Sequence, residues 1–224
     1  MVPDRKPYRR EAEGKRREAL IDATLALVAE GGAANATVRS IAQRAGVTAG
    51  LIRHYFQSKD QLLTAAYREL MDRMTADSAA VLKAAPHDPR ARLAAFVAAS
   101  LKPPVVDPDR LILWATFLQE TQRDPAMRDT HSQTYLGFRD MLQGLIGDLP
   151  GTRDARELRQ LAITCNAVID GLWMEGCTLP EAFGRGELVQ LGIRSVGAIL
   201  GLDLSTYLVL SEPIQADQLS DQPV

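Results

Sequence analysis

Cysteine is almost missing from this chain of 224 residues: there are two, Cys165 and Cys177. Twelve positions apart in what reads as one helix, they are separated by an axial rise of about 18 Å. That is beyond disulfide reach, so they read as thiols of a reducing compartment. Histidine is scarce as well, and His54, His87 and His131 show no metal-ligand spacing. Neither a metal nor a cofactor is expected. There is no run of 18 apolar residues, so no transmembrane helix is expected. Met1 to Arg17 is charged, without the apolar stretch of a secretory signal, and a cytoplasmic location is the expectation. A nucleophile–base pair, a metal cluster and a phosphate-binding glycine loop are all lacking, which argues against an enzyme.

What is present is an ordinary globular balance, 46% hydrophobic and 24% charged, enough to bury the cores of two modest helical domains. The net charge of -2 conceals an asymmetry. Residues 1–60 hold eleven Lys/Arg against seven Asp/Glu, while residues 61–224 hold fifteen against twenty-one. A basic head on an acidic body suits a protein that offers one end to a polyanion.

The punctuation is helical throughout. Leu20, Thr24, Leu27 and Val28 follow the helical period in a first helix over 9–30, stopped by Gly31-Gly32. Thr37 caps a short second helix ending near Ala45, and Thr48 caps a third running to about Phe56. Ser58 to Gln61 has the form of a capping box for a fourth helix reaching about Ala84. Asp88-Pro89, Asp107-Pro108 and Asp124-Pro125 each pair a capping aspartate with a proline whose missing N–H costs nothing at the first helical position. They predict helices over 89–101, 108–122 and 125–147. Helices over 153–177 and 187–200 complete a set of nine, and no strand pattern is convincing. The expectation is an all-α, nine-helix, two-domain fold. It comprises a helix-turn-helix domain over 1–60, a ligand-binding and dimerisation domain over 61–201, and a tail over 202–224 in which Tyr207 to Leu210 has extended character.

The strongest local signal lies between Val38 and Phe56. Two short helices crossing at a wide angle need a small residue at the crossing, here Ala42, and a glycine in the turn, here Gly46. Ile41, Ala45, Val47, Ile52 and Tyr55 supply the apolar positions. The third helix then turns Thr48, Ala49, Gly50, Arg53 and His54 outward. Its small residues allow close approach to a major groove, and Thr48 and Arg53 can reach base edges or phosphates. The basic arm Arg5-Lys6, Arg9-Arg10 and Lys15-Arg16-Arg17 is placed to meet phosphates.

The stretch from Thr37 to Leu63, with its Ala45-Gly46-Val47 turn, its His54-Tyr55-Phe56 end and its Lys59-Asp60-Gln61-Leu62 start of helix four, resembles the DNA-binding signature of the TetR family. The variant Gly50-Leu-Ile-Arg-His-Tyr-Phe56, and Val168-Ile-Asp-Gly-Leu-Trp173 further on, are similar to the BetI-type repressors of that family. The resemblance implies a transcriptional repressor and a homodimer joined through helices eight and nine. It implies a palindromic duplex operator as partner, and a small-molecule effector bound among helices five to eight. It nominates Thr37, Arg39, Thr48, Ala49, Gly50, Arg53, His54, Tyr55 and Lys59 as DNA contacts, with Tyr55 and Lys59 on phosphate. No membrane partner is implied.

The few aromatic residues of the second domain fall at helical spacing: Trp114 with Phe117, Tyr135 with Phe138, and Trp173 one turn beyond Asp170. Rings with a carboxylate nearby suit a quaternary ammonium ion, which sits over ring faces, and BetI-type repressors respond to choline. The candidate effector residues are Trp114, Phe117, Glu120, Tyr135, Phe138, Asn166, Asp170 and Trp173, with Glu120 or Asp170 as counter-charge. Each ring also fits ordinary core packing. The alternative is a TetR-type regulator of efflux or lipid metabolism sensing a hydrophobic ligand, or an architectural protein without any ligand. Gly171, Gly176, Gly192, Gly197 and Ala198 suit close helix crossing, within the chain or in a dimer.

Overall fold

The structure, a computed structural model, describes residues 5–207, with side chains from residue 13 onward. Among these residues there are nine α-helices and no strand: α1 (Arg5–Asn35), α2 (Val38–Arg44), α3 (Ala49–Tyr55), α4 (Lys59–Ala80), α5 (Pro89–Ser100), α6 (Pro108–Glu120), α7 (Pro125–Gly147), α8 (Ala155–Thr178) and α9 (Glu187–Leu200). The all-α, nine-helix expectation holds.

The helix starts follow the local chemistry. Thr37 and Ser40 form a reciprocal capping box on α2. Asp88, Asp107 and Asp124 each accept from a backbone N–H of the first turn of α5, α6 and α7, and Asp154 does so for α8. Four details depart from the sequence reading. The first helix begins four residues earlier, at Arg5, and is broken rather than ended at its glycine pair, where Gly32 has φ +73° and the helical path resumes to Asn35. Thr48 opens α3 without a side-chain cap. Ser58 caps Gln61, but Gln61 reaches back one residue further than a capping box requires, to the N–H of Gln57. The fourth helix stops at Ala80 and passes into a 3-10 turn over Val81–Lys83. In the tail, Ser205 to Tyr207 form a 3-10 turn; Leu208 to Leu210 lie outside the described residues.

The chain forms two compact units. The first takes in the described residues to Ala76 together with Asp107–Phe138. Its core joins Leu20, Ile21 and Val28 of α1 to Ile41 of α2, Ile52 of α3, Leu62, Ala66 and Tyr67 of α4, and Phe117 of α6. The second takes in Asp77–Val106 and the described residues from Arg139 onward. Its α5 is apolar on every side and buried from Phe96 to Ser100, the signature of a central helix. Close approach there uses glycine within the chain. A methyl group on Gly176 of α8 would strike Leu188 of α9, one on Gly192 of α9 would strike Leu101, and one on Gly197 would lie 2.5 Å from the Leu202 carbonyl. Gly171 and Ala198 are exposed instead. Cys165 and Cys177 are buried and outside any disulfide, and burial pushes the Cys165 thiol up to about 11.

Candidate nucleic-acid interface and effector residues

The crossing of α2 and α3 is built as its residue sizes require. Ile41, Ala42 and Ile52 are buried at the contact, and Ala45, Val47 and Tyr55 pack half-buried against the same core. Gly46 turns the chain at φ +66°, a left-handed conformation that costs glycine little. The Val47 N–H closes the turn on the Ala42 carbonyl at 2.9 Å.

That packing leaves one face of α3 open. Thr48, Ala49, Gly50, Arg53 and His54 are all exposed, as are Thr37 and Arg39 at the start of α2. Gly50 has open space where a side chain would stand, apart from the Thr48 hydroxyl. Thr37 also spends its hydroxyl on the α2 cap. Tyr55 is half-buried and meets His54 edge-on, with ring centroids 5.1 Å apart. Lys59 is half-buried and donates from Nζ to the Ala33 carbonyl at 3.1 Å. A cation at a helix start opposes the helix dipole. Here it satisfies a carbonyl just past the glycine break of α1, a tertiary role that the sequence did not reveal.

The candidate effector residues divide between the units. Trp114, Phe117, Glu120, Tyr135 and Phe138 belong to the first, and Asn166, Asp170 and Trp173 to the second. Phe117 is fully buried and stacks on Tyr67, centroids 5.0 Å apart. Trp114 and Phe138 are half-buried. Glu120 lines a groove of about 800 Å3 in the first unit, with Arg17, Tyr55, Arg68 and Arg123 among its walls, and lies 3.9 Å from Arg123. In the second unit the Asn166 side-chain amide donates to Asp170 at 2.8 Å, so the carboxylate in this apolar helix has the partner its burial demands. Trp173, one turn on, is buried and donates its indole N–H to the Val105 carbonyl at 2.9 Å.

Sequence reasoning missed Tyr67 and its partner. Tyr67 Oη lies 2.6 Å from His131 Nδ1, their rings stack, and His131 stacks in turn on Tyr135 at 5.4 Å. Phe117, Tyr67, His131 and Tyr135 thus make one continuous stack joining α6, α4 and α7. The spacing of His131 and Tyr135, four apart on α7, was the available signal. Burial holds the Tyr67 phenol above its ordinary range and His131 below 6.5, because both charged forms lose hydration there.

A pH effect follows from His131. In the window between its lowered folded pKa and 6.5, the unfolded chain binds the proton and the folded chain does not. Stability from this group is therefore complete above about pH 6.5 and is lost as pH falls through that window. His131→Gln is expected to show a smaller drop in melting temperature than wild type between pH 7.5 and 5.5. Identical drops would sink the assignment.

Comparison with known proteins gives two family matches. Residues 20–66 match the model described as bacterial regulatory proteins, tetR family, and residues 89–201 match that of the BetI-type transcriptional repressor, C-terminal. An HTH-type transcriptional regulator BetI of Paraburkholderia phytofirmans is 34% identical over 185 residues, covering 83% of this chain and 93% of that one. A putative transcriptional regulator from Pseudomonas aeruginosa superposes with a TM-score of 0.74 at 29% identity, over 87% of this chain and 95% of that one. Two solved structures at 23% identity share the fold. One is a putative transcriptional regulator from Saccharomonospora viridis in complex with choline, with a TM-score of 0.63 over 84% of this chain and 96% of that one. The other is FadR from Bacillus subtilis in complex with stearoyl-CoA, with a TM-score of 0.62 over 82% and 96%.

Proposed function

We propose, for a chain that belongs to the tetR family of bacterial regulatory proteins and carries the C-terminal region of a BetI-type transcriptional repressor, that α3 reads a palindromic operator and that a quaternary ammonium compound such as choline releases it. The chain is a transcription regulator and not an enzyme. The observation that carries the operator reading is the exposed, small-residue start of α3 over a buried crossing with α2. Thr48, Ala49, Gly50, Arg53 and His54 form the base-reading set, with Thr37, Arg39, Tyr55 and Lys59 on the sugar–phosphate backbone. The division of labour assigns DNA binding to residues 1–60, and effector binding and dimerisation to 61–201. Dimerisation through α8 and α9 is supported by exposed Met174 and Leu191 on those helices.

For the effector, Asp170 is the counter-charge of choice. It is held by Asn166 and stands one helical turn from Trp173. A quaternary ammonium ion has no N–H to donate and is recognised by ring faces and a carboxylate together. The choline complex of the Saccharomonospora viridis regulator, which shares this fold, supports an effector of that class. Trp114, Phe117, Glu120, Tyr135 and Phe138 are the further candidates, Phe117 and Tyr135 as members of the aromatic stack with Tyr67 of α4. The mechanism is a population shift. Recognition helices of a dimer must stand about 34–36 Å apart to meet successive major grooves. An effector that favours a mis-spaced state by about 3 kcal/mol lowers operator affinity roughly a hundredfold.

The test is a titration with choline, following Trp114 and Trp173 fluorescence, the chain's two tryptophans. It is repeated with betaine aldehyde and with an uncharged isostere of choline. Saturable quenching by the cations alone, abolished in Asp170→Asn, is expected. Quenching by a long-chain acyl thioester and not by choline would replace the cationic effector with the hydrophobic one that the FadR neighbour binds.

A further inference from the structure

The groove of the first unit carries a charge excess that neither α3 nor the Asp170 pair accounts for. Arg17 of α1, Arg68 of α4 and Arg123 just past α6 line it, together with Asp60, Glu120 and Asp124. The acids are committed. Asp124 accepts from the Ala126 N–H at 2.9 Å at the start of α7, and Glu120 lies 3.9 Å from Arg123. Asp60 stands in the first turn of α4, where the helix dipole favours an anion. Arg17 and Arg68 are held by neutral groups instead. The Arg17 guanidinium lies over the Phe56 ring at 5.3 Å, and Arg68 donates to the Gln133 side-chain oxygen at 2.7 Å. Neither forms an ion pair with an acidic side chain among the described residues.

The rest of the lining suits a ligand with two unlike ends. Phe56, Leu63 and Met127 are core residues whose remaining surface faces the groove, so part of its wall is apolar. Tyr55 and Ser58 bring hydroxyls. The Ser58 Oγ accepts from the Gln61 N–H at 3.1 Å, which leaves its own proton to donate. Two helix starts open on the same space, α4 at Asp60 and Gln61 and α7 at Pro125 and Ala126, and helix starts carry positive potential. The volume of about 800 Å3 falls within the range of about 300–1,000 Å3 that small-molecule sites occupy. To a cation this groove offers Asp60 alone, against two uncompensated guanidiniums.

We infer that this groove binds an amphiphilic anion, a carboxylate or phosphate monoester carried on a short aliphatic body. Arg17 and Arg68 take the anionic head through charge-assisted hydrogen bonds, and Phe56, Leu63 and Met127 cover the apolar body. The site lies in the unit that holds the reading head. It is distinct from the Asp170 site of the second unit and opposite to it in charge preference. The inference stands apart from the operator and choline readings, since binding is measured without DNA and without a quaternary ammonium ion.

The test is a calorimetric titration of the full chain with octanoate and with octyl phosphate, each below its micelle-forming concentration. Octanamide, with a similar chain and an uncharged head, is the control. Saturable binding of at least one of the anions, one per chain and at least tenfold tighter than octanamide, is expected. The tighter of the two anions tells carboxylate from phosphate as the preferred head. Arg17→Gln/Arg68→Gln is expected to weaken the anion at least tenfold and to leave octanamide unchanged. Both side chains are exposed, and circular dichroism checks that the variant is folded. Arg17→Lys/Arg68→Lys keeps the charge and loses the planar fork, and is expected to fall between wild type and the glutamine variant. The inference is overturned if neither anion binds, if octanamide binds as tightly as octanoate and octyl phosphate, or if the glutamine variant keeps the wild-type affinity. Absence of anion binding together with a lower salt slope of duplex binding in the glutamine variant would overturn it in a specific way, by assigning the two arginines to the duplex surface.

Discussion

Replacing Tyr67 by alanine is expected to cost about 3–5 kcal/mol of folding stability, the range for truncating a large buried ring. Tyr67 has no solvent exposure. Its ring is covered by Phe117 on one hand and His131 on the other, at centroid distances of 5.0 and 6.0 Å. Truncation opens a cavity that neither neighbour can close without moving α6 or α7. It also strands His131 Nδ1, which loses its partner at 2.6 Å. For a chain of this length each kcal/mol is worth about 2–4 °C, so a fall of roughly 6–20 °C is expected, measured by circular dichroism at one fixed protein concentration. Tyr67→Phe separates the two contributions. It keeps the stack and removes only the hydroxyl, and is expected to cost about 1 kcal/mol. A melting temperature for Tyr67→Ala within 2 °C of wild type would show that the stack does not hold α4 to α6 and α7.

The contrast between Tyr67 and Ala42 shows what the sequence could and could not say. Ala42, Gly46 and the small start of α3 were legible because a helix-turn-helix is a local object. Its residue sizes are dictated within twenty positions, and those constraints reappear as burial at Ala42 and positive φ at Gly46. The aspartate–proline helix starts were legible for the same reason, since a cap satisfies its own first turn. Tyr67 and His131 are 64 positions apart, and no periodicity reports a pairing between helices. Lys59 is the intermediate case. Its charge at a helix start was visibly odd, but its partner is the carbonyl of Ala33, 26 positions away. The glycines of α8 and α9 left intrachain and intersubunit packing open, and close packing within the chain decides for three of them. Gly176, Gly192 and Gly197 face neighbours of their own chain, which leaves the exposed Gly171, Met174, Leu191 and Ala198 to any second copy.

Arg53→Ala is expected to give the largest loss of operator affinity of any single substitution in α3. Among the exposed residues of that helix, Arg53 has the longest reach and a fixed charge, and no ion pair with an acidic side chain of the chain holds it among the described residues. A two-pronged arginine contact to a guanine edge is worth about 1–3 kcal/mol. A twofold dimer on a palindrome loses the contact twice, so about 2–6 kcal/mol is at stake, roughly 30-fold to more than 10,000-fold in Kd. The comparison that gives this meaning is Arg39→Ala. Arg39 is exposed at the start of α2, where a phosphate contact would position the duplex without reading it. Its loss is expected to weaken selected and scrambled duplexes alike and to lower the salt slope by about 1 per contact. Arg53→Ala is expected to weaken the selected duplex far more than the scrambled one. Measured by anisotropy on both duplexes, an Arg53→Ala variant that keeps the wild-type preference would remove Arg53 from the reading set and leave Thr48 and His54 to carry it. Equal losses on both duplexes would move Arg53 to the phosphates, beside Arg39.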